Sequence, residues 1–247
     1  MSVSVLIPAR LGSTRLPRKA LIDIGGKPML QHVWEQASRM RKASFVAVAT
    51  DSEEIYERAE AWGAKVFMTS PDCQSGTERL ASLLPQLDSE FFLNVQGDEP
   101  FIQPDLLDSL VQVWENTRCD LVTAVYRIRT HREILDPNLV KVVRRHDGQA
   151  MYFSRSPVPH VRGVAPEDWA NGHAFWAHIG VYGYTRETLA RYIELAPGTL
   201  EQCEKLEQLR FLEHGLSIQA VETAYEPLGI DTPEDLELAR SQLHRLG

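Results

Sequence analysis

The densest chemistry in the sequence lies in Pro8-Ala9-Arg10-Leu11-Gly12-Ser13-Thr14-Arg15-Leu16-Pro17-Arg18-Lys19, where four cations fall within ten residues, with Gly12 and two hydroxyls among them. Backbone N–H groups and charge-assisted donors in such a loop can wrap a phosphate chain, and a solvated basic loop has the same composition. The spacing is neither GxxxxGKS/T nor GxGxxG, so the fingerprints of a Walker A loop and of a dinucleotide fold are both missing. Asp98, in Asn94-Val95-Gln96-Gly97-Asp98-Glu99-Pro100, follows an apolar run and suits Mg²⁺, which favours carboxylates, water and phosphate oxygens. The alternative is an Asp that turns the chain ahead of Pro100, while Gly97, lacking a Cβ, favours close approach of a ligand. Asp231, in Gly229-Ile230-Asp231-Thr232-Pro233, either supports a helix N-terminus or shares one cation with Asp98. Gln74-Ser75-Gly76-Thr77-Glu78-Arg79 is either a loop that reads a base edge or a helix cap. Arg155, His178, Tyr182 and Glu207 are isolated polar residues beside apolar patterns. His173 and His178 have no Glu or Cys at metal spacing, which disfavours zinc.

These groups need a scaffold, and hydrophobic periodicity supplies one. VSVLIP at 3–8 and FVAVAT at 45–50 read as buried strands, and AKVFMT at 64–69 and FFLNVQG at 91–97 as a third and a fourth strand. Helices are expected at 28–41, 52–62 and 75–87, the last with the capping-box spacing of Ser75 and Glu78. Such alternation predicts βαβ units and a mainly parallel sheet whose ligands sit beyond the carboxyl ends of the strands, so the loops after Ile7, Met68 and Val95 should face one crevice. A helix at 104–117 and a strand at 121–126 follow. VKVVRR at 140–145 and AMYFS at 150–154 flank Asp147-Gly148 as a hairpin, 157–173 reads as a long loop, and 177–184 returns to extended structure. Helices are expected near 186–195 and across TLEQCEKLEQLRFLEHG up to a Gly215 cap. The final helix starts with Thr232 as N-cap, Pro233 as its first residue and Asp235 at the third position.

Length and composition bound the answer further. At about 150 residues per domain, 247 residues allow one or two domains, and we expect a single α/β domain over 1–247. Hydrophobic residues at 43% and charged residues at 24% match a folded globular chain and exclude a collagenous fibre, a disordered tail or a membrane bundle. The formal charge of −8 disfavours non-specific binding to nucleic acid or anionic membrane, so a polyanionic ligand needs a local basic cluster or a bridging divalent cation. The three cysteines, Cys73, Cys119 and Cys203, are far apart and odd in number, which fits reduced thiols in a cytoplasmic setting. The apolar run Val3 to Ile7 is too short for a signal-peptide core.

PARLGSTRLPRK, QSGTERL, NVQGDEP, FSRSPVP, HIGVYGY, EKLEQLR and GIDTPEDL, in that order over nearly the whole chain, resemble the 3-deoxy-manno-octulosonate cytidylyltransferases, the CMP-Kdo synthetases of lipopolysaccharide biosynthesis. The resemblance implies a Rossmann-like, mainly parallel sheet flanked by helices, of the nucleotide-diphospho-sugar transferase type, with a smaller inserted β-rich segment over 127–185 for sugar binding and dimerisation. It implies that Arg10, Ser13, Arg15 and Lys19 handle CTP phosphates, that Gln74, Ser75 and Arg79 lie at the nucleoside side, and that Asp98 and Asp231 bind Mg²⁺. Catalysis would rest on Arg10, Lys19, Asp98 and Asp231. The sugar acid would meet Gln96, Arg155, His178, Tyr182 and Glu207, and the enzyme would be a cytoplasmic homodimer. The implied reaction is in-line attack of the anomeric hydroxyl of 3-deoxy-D-manno-octulosonate (Kdo) on the α-phosphorus of CTP. Alternatives are a modified octulosonate such as an 8-amino variant, another sugar acid, or a non-catalytic nucleotide-binding protein. Three positions depart from the family pattern: Arg18 replaces the usual glycine before the phosphate lysine, Cys73 stands where histidine often precedes QSGTER, and 161–175 differs beside the expected sugar pocket.

Overall fold

The computed structural model describes residues 2–12 and 16–246, and the chain forms two compact units: 1–108 with 183–190 and 227–247, and 109–182 with 191–226. Ser13 and Arg15 lie outside the described residues.

The first unit is built on four parallel strands: β1 (Val3–Ala9), β2 (Phe45–Thr50), β3 (Lys65–Met68) and β4 (Phe91–Asn94). They lie in the order β4-β1-β2-β3, with Leu6 paired to both Ala47 and Asn94. Val5, Leu6, Ile7, Phe91, Phe92 and Leu93 are fully buried. Both faces of β1 and β4 are covered, so they read as continuous apolar runs rather than alternating ones, while β3 at the end of the order is exposed at Lys65 and Met68. Each large side chain removed from water contributes about 1.5–3 kcal/mol. Helices Met29–Ala37 and Glu53–Ala61 connect the strands, the second capped by Ser52, whose hydroxyl accepts from the Ile55 amide. The helix expected over 75–87 stops at Ala81 and resumes as a short 3₁₀ turn, Leu84–Gln86. Pro85 sits in that turn, and a proline removes the donor and clashes with the preceding turn of an α-helix. The strand expected to reach Gly97 ends at Asn94, so Gln96, Gly97 and Asp98 leave the sheet as a loop. The closing helix, Pro233–Leu246, starts as its sequence predicts: Thr232 Oγ1 accepts from the Asp235 amide at 3.2 Å, and Asp235 accepts from the Thr232 amide at 2.8 Å.

The second unit holds β5 (Leu121–Arg127), β6 (Lys141–Arg144), β7 (Ala150–Ser154), most of β8 (Trp176–Thr185) and β9 (Ile218–Thr223). β5 and β9 pair in parallel, while β6 pairs antiparallel with both β7 and β8. The Asp147-Gly148 hairpin forms as expected, with Gly148 at φ +86° and the Asp147 carboxylate accepting from the Gln149 amide. In β8 the alternation holds from Trp176 to Gly183: Ala177, Ile179 and Val181 are buried, while His178, Gly180 and Tyr182 share the other, half-buried face. Strand β9 and the helix His131–Leu135, capped reciprocally by Thr130 and Glu133, are additions to the sequence reading. The single helix expected across 199–215 is instead two, Thr199–Glu204 and Gln208–Glu213, separated by Lys205 in the left-handed region at φ 55°. A strict spacing of three drifts off one face of a 3.6-residue helix, which leaves Leu200 and Cys203 exposed. The 157–173 segment is not a bare loop: it contains a turn at Pro166–Asp168 and the helix Trp169–Gly172, anchored by Trp169 stacked 6.0 Å from Phe175. No helix among the described residues is long and apolar enough to cross a membrane.

Candidate active site

At the carboxyl ends of β1, β3 and β4 the first unit opens into a crevice of about 370 Å³. Pro8, Ala9, Arg10 and Gly12 line it after β1, Cys73 to Gly76 and Arg79 after β3, and Gln96, Gly97 and Asp98 after β4, with Lys19 and Asp231 completing the rim. The three strand-end loops thus face one cavity, as alternating βαβ units require. Gly97 is needed for packing: a Cβ there would stand 3.1 Å from the Pro8 carbonyl oxygen. Its missing side chain therefore lets the β4 loop approach β1.

The organising group is Lys19. Its ammonium donates to Asp98 Oδ2 at 2.6 Å and to Asp231 Oδ1 at 2.7 Å, so two carboxylates far apart in sequence meet within the span of two hydrogen bonds. Asp98 is therefore more than a turn residue, although its carbonyl also accepts from the Ile230 amide at 3.1 Å. The helix start is served by Asp235, which accepts from the amides of both Asp231 and Thr232, and the Asp231 carboxylate is turned towards Lys19. Burial alone would lower the Lys19 pKa; the charge of Asp98 and the hydrogen bonds to both carboxylates outweigh it, and the pKa is raised. Glu99 carries no separate signal in the sequence beside Asp98. Burial pushes its carboxyl up to about 8, the charge of Asp98 adds to this, and Lys19 opposes it.

An ammonium held between two carboxylates is a test of what cation the pair accepts. Hard oxygen donors on opposite lips of a crevice suit Mg²⁺, which takes one or two carboxylates and completes its shell with water and phosphate oxygens. Among the described residues no group of three or more His, Cys, Asp or Glu is placed to hold a metal ion.

The β3 loop is braced from within. Ser75 Oγ accepts from the Glu78 amide at 3.1 Å, and Glu78 accepts from the Gln74 amide at 2.7 Å, one residue earlier than a reciprocal capping box would have it. Arg79 is buried, donating to Asp51 at 2.9 Å and to Thr69. Arg18 takes up the left-handed conformation, φ 57°, ψ 30°. That is the region where glycine carries no steric cost. Its guanidinium pairs with Glu54, which also pairs with Arg58.

In the second unit, His178 Nε2 lies 2.9 Å from Thr123 Oγ1, and that hydroxyl also lies 2.8 Å from the Val181 carbonyl. A hydroxyl that donates to the carbonyl accepts from the ring, which assigns the neutral Nε2–H tautomer. Phe153 and Tyr182 flank the ring at 5.2 and 5.3 Å, and desolvation lowers its pKa to about 3. Desolvation and the charge of Glu207 push the Tyr182 phenol well above its ordinary range. Glu207 sits at the start of helix Gln208–Glu213, just after the Lys205 break. Arg155 follows β7 and is held by Glu204 and by the Pro137 carbonyl.

Residues 4–218 match the model of a family described as cytidylyltransferase. A 3-deoxy-manno-octulosonate cytidylyltransferase of Geobacter sulfurreducens is 45% identical over 98% of this chain and its own full length, and one of Chlorobium limicola is 46% identical over 99% of this chain and 98% of its own. The chain belongs to the 3-deoxy-manno-octulosonate cytidylyltransferase family. A solved CMP:2-keto-3-deoxy-manno-octonic acid synthetase complexed with CTP superposes with a TM-score of 0.94 at 37% identity, covering both chains completely. A glucose-1-phosphate thymidylyltransferase structure from Bacillus anthracis, at 15% identity and a TM-score of 0.70 over 98% of this chain and 95% of its own, shares the fold alone. As a 3-deoxy-manno-octulosonate cytidylyltransferase family member, the protein is a nucleotidyltransferase with the α/β fold of that group, a mainly parallel sheet flanked by helices plus a smaller β-rich segment. Three side chains that organise this family member's polar sites were invisible as functional signals in its sequence. Thr123 looks like an ordinary strand threonine, Lys141 like a surface cation, and Glu204 like one acid of a charged helix.

Proposed function

We propose that this enzyme joins CTP and Kdo to give CMP-Kdo and pyrophosphate, with Mg²⁺, at the crevice of the first unit. The observation that carries this reading is the ammonium of Lys19 between Asp98 and Asp231 beside Arg10. It supports a site where cations and carboxylates alternate around a triphosphate. Two anionic substrates must meet in a protein of formal charge −8, so local cations have to supply the attraction that the whole molecule lacks. Arg10 and Lys19 would bind phosphates, with Ser13 and Arg15 of the same loop. Gln74 and Ser75 would face the nucleoside, with Arg79 holding their loop against Asp51. Asp98 and Asp231 would hold Mg²⁺, which when bound neutralises phosphate charge and polarises the attacking oxygen. Gln96, His178, Tyr182 and Glu207 would orient the sugar, and Arg155 would pair with its carboxylate, since a planar guanidinium matches a carboxylate better than an ammonium does.

The anomeric hydroxyl loses its proton to solvent and forms the new bond to the α-phosphorus, while the bond to the β-phosphate oxygen breaks and pyrophosphate leaves. Side chains do little covalent work in such a transfer; their contribution is position and charge. We read 1–247 as one catalytic domain that acts as a cytoplasmic homodimer, with 127–185 serving the sugar and the dimer contact; a family match that runs through both units favours the single domain. Nucleic acid is not part of this reading. The test is pyrophosphate release with CTP and UTP against Kdo, an 8-amino octulosonate, other sugar acids and neutral sugar phosphates. Mg²⁺-dependent release confined to CTP with Kdo is expected; preference for another acceptor would reassign the substrate, and nucleotide binding without release would remove catalysis.

A further inference from the structure

Arg155 does not stand alone. Its backbone amide donates to Glu204 Oε2 at 2.9 Å, its Nε donates to the Glu204 carbonyl at 2.8 Å, and Nη1 reaches the Pro137 carbonyl at 3.2 Å. The other carboxylate oxygen of Glu204 accepts from Ser154 Oγ at 2.6 Å and from the Tyr152 hydroxyl at 3.4 Å. The Glu204 carbonyl is available because the helix ends there: Lys205 turns left-handed, and the carbonyl accepts from Arg155. Beneath this frame lies Lys141, fully buried, whose ammonium donates to three carbonyls, of Asp136 and Leu139 in the preceding turn and of Arg155 itself, at 2.6–2.7 Å.

This is an expensive arrangement for a fold to keep. A lysine without solvent exposure loses hydration, and its pKa is lowered by burial despite the nearby charges of Asp136 and Glu204. Its three donors are matched by three acceptors, so it fixes one geometry of the backbone carrying Arg155. The Glu204 carboxylate holds the Arg155 amide and Ser154, and its backbone carbonyl fixes the arginine side chain at Nε. Nη2 of Arg155 has no partner among the described hydrogen bonds, so one edge of the guanidinium is left for an incoming anion. Ordering a long arginine costs entropy at the moment of binding unless the protein has already done it.

We propose that Glu204, supported by Lys141, is a positioning residue that pre-organises Arg155 to receive the carboxylate of the sugar acid. The inference rests on the reading of Arg155 under the proposed function. The experiment compares Glu204→Ala, Glu204→Gln, Arg155→Met and the Arg155→Met/Glu204→Ala double variant. It records KM for Kdo and for CTP, kcat, and the melting temperature. Loss of several charge-assisted hydrogen bonds should raise the Kdo KM of Glu204→Ala by about tenfold or more, with CTP KM and kcat nearly unchanged. Both variants keep the backbone carbonyl contact to Nε; Glu204→Gln also keeps one uncharged side-chain oxygen to accept from Ser154 or the Arg155 amide and should fall between. Because Glu204 acts through Arg155, the double variant should bind Kdo no worse than Arg155→Met alone. A Kdo KM unmoved in Glu204→Ala while Arg155→Met raises it overturns the positioning role and leaves the assignment of Arg155 intact. An unmoved Kdo KM in Arg155→Met shows the assignment itself to be wrong. Parallel losses in both KM values, kcat and melting temperature would reduce Glu204 to a structural residue and overturn the proposal as well.

Discussion

Two clusters of polar residues, one in each unit, handle polar chemistry in opposite ways. In the first, Lys19, Asp98, Asp231 and Arg10 line an open crevice as formal charges, and the Lys19 pKa moves in the direction that keeps it charged. In the second, His178 and Tyr182 are desolvated and pushed towards their neutral forms, His178 to about 3 and Tyr182 upwards. Charge at contact range in a partly open site gives strong attraction with little directional selectivity, whereas neutral, desolvated donors and acceptors discriminate by geometry because an unmatched partner is left unpaired. On the proposed reading, the difference suits a triphosphate at the first cluster and a polyhydroxylated sugar at the second.

The first way to break this contrast is to remove one carboxylate of the crevice. Asp98→Asn keeps the shape and removes the charge; turnover at saturating Mg²⁺ should fall by roughly a hundredfold or more, the scale of losing a major electrostatic group. Near-normal steady-state rates would take Asp98 out of the mechanism and with it the idea that formal charge organises this unit.

Lys19→Met probes the same cluster from the cationic side and should move two quantities in opposite directions. CTP affinity should fall, because the phosphates lose a donor. Affinity of the nucleotide-free enzyme for Mn²⁺, measured by electron paramagnetic resonance, should rise by a few-fold to about tenfold, since an ammonium no longer stands between Asp98 and Asp231. A drop in Mn²⁺ affinity would mean that the pair is not a cation seat.

The same contrast governs what could be read before the fold was known. Strand-end loops, the Thr232–Asp235 cap and the convergence of the β1, β3 and β4 loops follow from local periodicity and from the geometry of parallel sheets, so they were legible. Residue type alone allows Asp98 and Asp231 to meet but does not require it, and what joins them, Lys19, sits in a loop whose composition points to phosphates. The second unit was harder. The helix across 199–215 is broken at left-handed Lys205, where the freed Glu204 carbonyl accepts from Arg155, a contact that no window of sequence contains. Strand β9 carries alternating buried and half-exposed residues too short in run to stand out, and its identity comes from pairing with β5. Lys141 reads as a surface charge until three carbonyls from separate segments surround it.

His178 offers a pH test of the neutral side. Unfolded, its imidazole titrates near 6.5; folded, desolvation holds it down to about 3. Between those values the unfolded chain binds a proton that the folded chain refuses, so stability is intact above about 6.5 and is lost as pH falls through that window. His178→Gln keeps a donor for Thr123 and cannot titrate, so its melting temperature should fall less steeply with acid than that of the parent. Equal slopes in the two proteins would show that the ring is not held neutral, and the contrast between the units would weaken.

The smallest expected effect separates backbone from charge at the edge of the phosphate loop. Arg18 occupies the left-handed region, where glycine carries no steric cost, and its side chain pairs with Glu54 while remaining more than half exposed. A left-handed non-glycine residue costs roughly 1 kcal/mol, and an exposed ion pair returns about 0–1 kcal/mol. The two nearly cancel, so Arg18→Gly should shift stability little, because it relieves the backbone while losing the pair. Arg18→Ala keeps the backbone cost and loses the pair, and should therefore melt below Arg18→Gly. If alanine and glycine melt together while both fall well below arginine, the Glu54 contact rather than backbone conformation holds the residue before Lys19, and charge would organise the rim of the crevice as fully as its centre.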